Sequence, residues 1–129
     1  IKQQLPGLDH APVSFLSAQE GTNVLDTMDL MFELREQSRM KIRTPQLNTV
    51  LHRARERLMP KATGFPKLFY GTQVGTEPLS VLIFVNEPKV FRGQYQRFIE
   101  QVLRDAFGCS EVPINIVFRK REKVILGEK

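Results

Sequence analysis

Val81-Leu-Ile-Phe-Val85 is five apolar residues in succession, closed upstream by Gly75-Thr-Glu-Pro78 and downstream by Asn86-Glu-Pro88. Turn residues on both sides limit it to a short strand, and the lack of apolar–polar alternation means that both of its faces expect cover. A strand covered on both faces belongs in the middle of a sheet. Period-two patterns at residues 68–74 and 114–119 supply its neighbours. The short 75–78 connection pairs the first two strands antiparallel. A helical pattern lies between the second and third strands, and a strand–helix–strand crossover is right-handed and sets its two strands parallel.

That crossover helix spans about residues 94–107, with Tyr95, Phe98, Ile99, Val102, Leu103 and Ala106 on one face and Gly108 placed to end it. Another helix precedes the first strand. Thr44 is positioned to cap it and Pro45 suits its first turn. Leu47, Val50, Leu51, Ala54 and Leu58 form its apolar stripe, and Pro60 marks its end. The order α-β-β-α-β therefore predicts an α+β domain: a three-stranded mixed sheet, second strand central, with two helices on one face. Two helices cover only one side of that sheet. Phe69, Leu82, Phe84 and Val117, or their opposite-parity neighbours, are left on a helix-free side, and an apolar surface of that kind marks a place for docking on another domain.

Charge divides the chain. Residues 1–36 hold two basic and six acidic side chains, a balance of −4, while residues 37–129 hold seventeen and eight, a balance of +9, giving the net +5. The basic part suits a polyanion such as RNA. The acidic part reads as a short strand, Val13-Ser-Phe-Leu16, a break at Gln19-Glu-Gly21, and a helix to about Glu36 on which Val24, Leu25, Met28, Met31 and Phe32 make a broad apolar face. One strand and one helix have no core of their own. The chain begins at Ile1 without a methionine, which suggests a piece of something longer. Its expected division is 1–38 for this first unit, 39–43 for a linker, 44–123 for the domain and 124–129 for a tail.

The single cysteine, Cys109, cannot form an internal disulfide and fits a reducing, cytoplasmic setting; no apolar run approaches the roughly 18 residues that span a bilayer, so no membrane partner is expected. His10 and His52 lie in different units without metal-ligand spacing to Cys109, and no serine sits in a nucleophile elbow. No catalytic residue and no metal site is expected. Arg97, Glu100 and Arg104 share a helix face and are expected to pair with one another.

Several separated motifs occur in order: Leu68-Phe-Tyr-Gly-Thr-Gln-Val-Gly-Thr-Glu-Pro78, the run from Val81 through Pro88, Arg104-Asp-Ala-Phe-Gly108 and Pro113-Ile-Asn-Ile-Val-Phe-Arg-Lys-Arg121. From about Met40 to Glu122 they resemble the C-terminal KH-like domain of the bacterial tandem GTPases called Der or EngA. The resemblance implies a non-catalytic module of a ribosome-assembly factor that contacts ribosomal RNA of the large-subunit precursor and packs on the G domains. It also implies GTP, with magnesium, as the cofactor of the longer protein. No phosphate-cradling G-x-x-x-x-G-K-[ST] loop occurs in this chain, so none is expected to bind here.

By the same resemblance, Ser17, Ala18 and Gln19 match the last guanine-contacting loop of the second G domain, with Gln19 where lysine is common. The backbone-clamping G-x-x-G loop of ordinary KH domains is missing: Gly71 and Gly75 are four apart, and they fall on a strand and its turn. RNA contact would then be mainly electrostatic, through Arg39, Lys41 and Arg43 in the linker and Arg119, Lys120, Arg121 and Lys123 after the third strand. Phe69 and Tyr70 could stack on bases, but core or interface positions suit them better. The competing reading is an intramolecular protein-interaction domain with no RNA contact.

Overall fold

The computed structural model describes residues 3–58 and 66–122. Helices α1 (Val24–Ser38) and α2 (Thr44–Leu58) precede strands β1 (Leu68–Gly75) and β2 (Leu79–Val85). A 3-10 turn (Pro88–Phe91), helix α3 (Gln94–Phe107) and strand β3 (Ile114–Lys120) follow. The sheet order is β1-β2-β3, with β1 antiparallel and β3 parallel to β2. Both helices of the domain lie on one face, since Val50 and Ala54 of α2 line a shared groove with Val102 and Ala106 of α3.

The uninterrupted apolar strand is decided by its surroundings. Leu79, Val81, Ile83 and Val85 are buried under α2 and α3, while Leu82 and Phe84, of opposite parity, are only half-buried. The core joins them to Leu47, Leu51 and Ala54 of α2, Ile99 and Leu103 of α3, and Ile114 and Ile116 of β3. Phe91 is fully buried too, 5.1 Å ring to ring from Phe118, so the segment after β2 contributes to the core rather than forming a plain loop.

Helix α2 approaches β1 closely where β1 has a glycine. A Cβ on Gly71 would stand 2.7 Å from Leu51 Cδ1 and 3.2 Å from the Leu82 carbonyl oxygen. Asn48, one turn away, donates to the Gly71 carbonyl (3.1 Å) and accepts from the Gly71 N–H (2.8 Å). Its carboxamide stands in for a neighbouring strand on this sheet edge.

Three expectations need correcting. Thr44 does not cap α2: Arg43 accepts the first intrahelical bond, from the Leu47 N–H (3.0 Å), and Thr44 is already helical. Residues 11–16 form no strand; the only bridge nearby joins Ser17 to Thr22, because no described neighbour offers 13–16 a ladder. Arg104 does not pair with Glu100 on the helix surface. It is buried and donates to the carbonyls of Val112 (2.6 Å), Ser110 (3.4 Å) and Cys109 (3.5 Å), bracing the turn from α3 to β3. The expected linker, 39–43, is tied to β1: Gln73 accepts from the Ile42 N–H (2.6 Å) and donates to the Met40 carbonyl (2.7 Å). The expected stop at Pro60 lies outside the described residues.

Candidate nucleic-acid interface and docking face

The helix-free side of the sheet is built in rows. Tyr70, Phe84 and Arg119 stand opposite one another across the three strands, and Thr72, Leu82 and Val117 form the next row. Tyr70 and Phe84 stack, with centroids 4.7 Å apart and planes 28° from parallel. Tyr70 and Val117 remain 43% and 40% exposed. The expected docking residues Leu82, Phe84 and Val117 are thus on one face. Phe69 is not in their rows: a bulge between Leu68 and Tyr70 makes it the extra residue. Tyr70 takes the place beside Phe84, which only the strand register reveals.

The basic candidates divide into two groups. Arg119 and Lys120 are exposed at the end of β3; the Arg121 N–H bonds the Val85 carbonyl (3.1 Å) and its guanidinium lies over the Phe69 ring, 5.1 Å from the centroid. That stacking holds the guanidinium against an aromatic face at the sheet's rim. Arg39 lies at the other end, ion-paired with Glu77 (3.4 Å), which also meets Arg35 (3.6 Å). Lys41 and Arg43 are exposed beside it. The seven residues of β2 separate the groups by about 20 Å, at about 3.3 Å of rise per residue. One mononucleotide cannot touch both, whereas an extended strand or a helical groove can. Lys123 lies outside the described residues.

The loop at 17–22 is a tight turn. Ser17 donates its N–H to the Thr22 carbonyl (3.0 Å), and its hydroxyl accepts the Glu20 N–H (3.3 Å). Asn23, left-handed at φ 60°, donates its side-chain amide to the Phe15 carbonyl (2.7 Å) before α1 starts. Ala18 and Gln19 are exposed at the tip.

Among the described residues, two titratable groups are shifted by their surroundings. Burial pushes the Cys109 thiol up from its ordinary value, against the opposing influence of its own backbone and the Arg104 charge. His10 is lowered by burial and then by the nearby Arg104 charge. Among the described residues no group of three His, Cys, Asp or Glu side chains is placed to hold a metal, and no helix is long and apolar enough to cross a membrane.

Comparison with known proteins decides the family. A family described as the C-terminal KH-domain-like part of EngA bacterial GTPase enzymes matches residues 41–119. This chain belongs to that family. Beyond the KH-like part, similarity extends through the first helix: the chain is 37% identical over 123 residues to GTPase Der of Caldanaerobacter subterraneus subsp. tengcongensis, covering 94% of this chain and 28% of that protein. GTPase Der of Thermoanaerobacter pseudethanolicus is 38% identical over 123 residues, and that of Staphylococcus carnosus 36% over 124, each again covering 94% of this chain and 28% of the relative. The chain therefore spans a little over a quarter of the length of these curated relatives.

Proposed function

We propose that the chain is the non-catalytic C-terminal module of a Der-like ribosome-assembly GTPase, and that it helps to seat that protein on ribosomal RNA of the large-subunit precursor. The observation that carries this reading is similarity to GTPase Der proteins along 94% of the chain, joined to a cationic strand end, Arg119 to Arg121, at the rim of an open sheet face. Residues 1–38 would be the end of the second G domain, with Ser17, Ala18 and Gln19 the remnant of its guanine loop. GTP and magnesium would be bound by the longer protein, in the cytoplasm. Leu82, Phe84 and Val117 would pack on a G domain, and nucleotide state would alter which basic surface meets RNA.

A salt titration of binding to a ribosomal RNA segment tests the RNA contact. Each phosphate contact contributes about 0.7–0.9 to the slope of log affinity against log salt, so removing the charges of Arg119, Lys120 and Arg121 should lower the slope by up to about three times that amount. No binding at low salt would sink this reading and leave the second one: a domain that meets only protein, favoured by the apolar rows of the sheet face and by the missing G-x-x-G loop.

A further inference from the structure

An open groove of about 390 Å³ lies between helix α2 and the outer edge of β1. Pro45, Asn48, His52 and Arg55 form its helix wall, spaced so that one face of α2 carries them all, and Phe69 and Tyr70 stand on the strand side. Among the described residues its walls come wholly from residues 45–70, inside the KH-like part, so its shape owes nothing to the upstream segment. Its volume stands at the small end of the roughly 300–1,000 Å³ of sites for single small molecules, which leaves room for one flat ring system and its substituents.

The walls combine aromatic surface with unpaired cations. Each ring is held by a partner that does not line the groove: Phe69 by the Arg121 guanidinium, 5.1 Å from the ring centroid, and Tyr70 by Phe84, 4.7 Å between centroids. Rings fixed in this way lose little freedom when a ligand stacks on them. Asn48 is engaged with both backbone groups of Gly71, which closes the strand edge there to an added peptide strand. His52 and Arg55 are exposed and have no hydrogen-bond or ion-pair partner among the described residues. No carboxylate lines the groove, and α2 carries only Glu56 against Arg53, Arg55 and Arg57.

We propose that this groove takes one unstacked base of single-stranded RNA, seated against its aromatic side, with a neighbouring phosphate on Arg55. The inference rests on the reading of this module as an RNA contact and names where a base is met. It leaves the helix-free rows of Leu82, Phe84 and Val117 to the G domain. The flanking charges fix the position: Lys41 and Arg43 immediately precede Pro45 at one end of the groove, and Arg121 lies over Phe69 at the other. The two cationic groups are about 20 Å apart, the length of about six phosphates of a stacked strand at about 3.4 Å each. A strand that follows this edge from one group to the other therefore carries a base past the groove. A duplex holds its bases inside the stack, whereas side chains read RNA chiefly where bases are splayed out. An acidic peptide would meet Arg55 and His52 but find the strand edge at Gly71 already closed.

The test compares binding of the full chain to an oligouridylate of about ten nucleotides with binding to an RNA duplex at the same salt. Phe69→Leu keeps the apolar bulk and should weaken single-strand binding about 5- to 150-fold while leaving the duplex unchanged. Arg55→Gln, at an exposed position, should lower the salt slope for the single strand by about 0.7. Oligomers carrying a photoreactive thiouridine should crosslink to His52, Phe69 or Tyr70. An unchanged single-strand affinity in Phe69→Leu overturns the base site, as does an equal loss on both RNAs, which would mean that only Arg121 had been disturbed. An unaltered slope in Arg55→Gln overturns it too. In each of these cases, binding that still depends on Arg119, Lys120 and Arg121 leaves the broader RNA reading standing. A Phe69→Leu change that spares RNA binding but loosens the module from the G domains in a full-length GTPase Der assigns the groove to protein instead. No binding of either RNA at low salt removes the broader reading and the base site together.

Discussion

Asn48→Ala removes the side chain that occupies the outer edge of β1 at Gly71. The native carboxamide exchanges two hydrogen bonds with a buried residue: Asn48 Oδ1 accepts from the Gly71 N–H at 2.8 Å, and Nδ2 donates to the Gly71 carbonyl at 3.1 Å. Alanine leaves both backbone groups without that partner. Each stranded buried group costs about 1–3 kcal/mol, and the better helix propensity of alanine returns about 0.5 kcal/mol. The net loss should be about 1.5–5.5 kcal/mol, read as a fall in urea midpoint with the m-value unchanged. Asn48→Asp keeps the acceptor but loses the donor and should fall between alanine and the native residue. Asn115→Ala, exposed on the sheet, should stay within about 0.5 kcal/mol. An Asn48→Ala protein as stable as the native one would refute the idea that this carboxamide completes the sheet edge.

Other consequences follow from single contacts. Gly71→Ala drives a methyl group to 2.7 Å from Leu51 Cδ1, so unfolding experiments should show a loss of about 1–3 kcal/mol, partly recovered by Leu51→Val in the double mutant. Phe91→Ala empties a fully buried site beside Phe118 and should cost about 3–5 kcal/mol, where a mere loop position would cost almost nothing. Because burial raises the Cys109 pKa, the neutral thiol favours the folded state; that contribution is complete below the unfolded value and is lost as pH rises through the folded one. Stability should therefore decline in the alkaline range above about pH 8.5, a decline that Cys109→Ala should reduce. The thiol should react with a disulfide reagent only as fast as the chain opens.

The sheet's order and direction were legible because they depend on local patterns: the turn at 75–78, the helical period of 94–107, and the crossover rule. Core positions on the helices followed from the same periodicity, as Leu47, Leu51, Ile99 and Leu103 illustrate. Phe91 and Arg104 were not legible. Phe91 sits in a segment without a period, and Arg104 looks like any surface arginine until the turn after α3 brings three carbonyls to it.

The candidate interface divides in the same way. Sequence alone was enough to mark an apolar central strand, the change of charge sign along the chain, and the cationic end of β3, since each is a property of neighbours in the chain. Only the tertiary structure decided that Tyr70 rather than Phe69 joins Phe84, because one extra residue in an edge strand changes which side chains share a face. It also put the two arginine groups at opposite ends of the sheet and turned 39–43 into a clamped strap, through bonds from Gln73 more than thirty residues away. Such bonds leave no local trace: periodicity reports which way a side chain points from its own element, and not which distant polar group the folded chain carries to it.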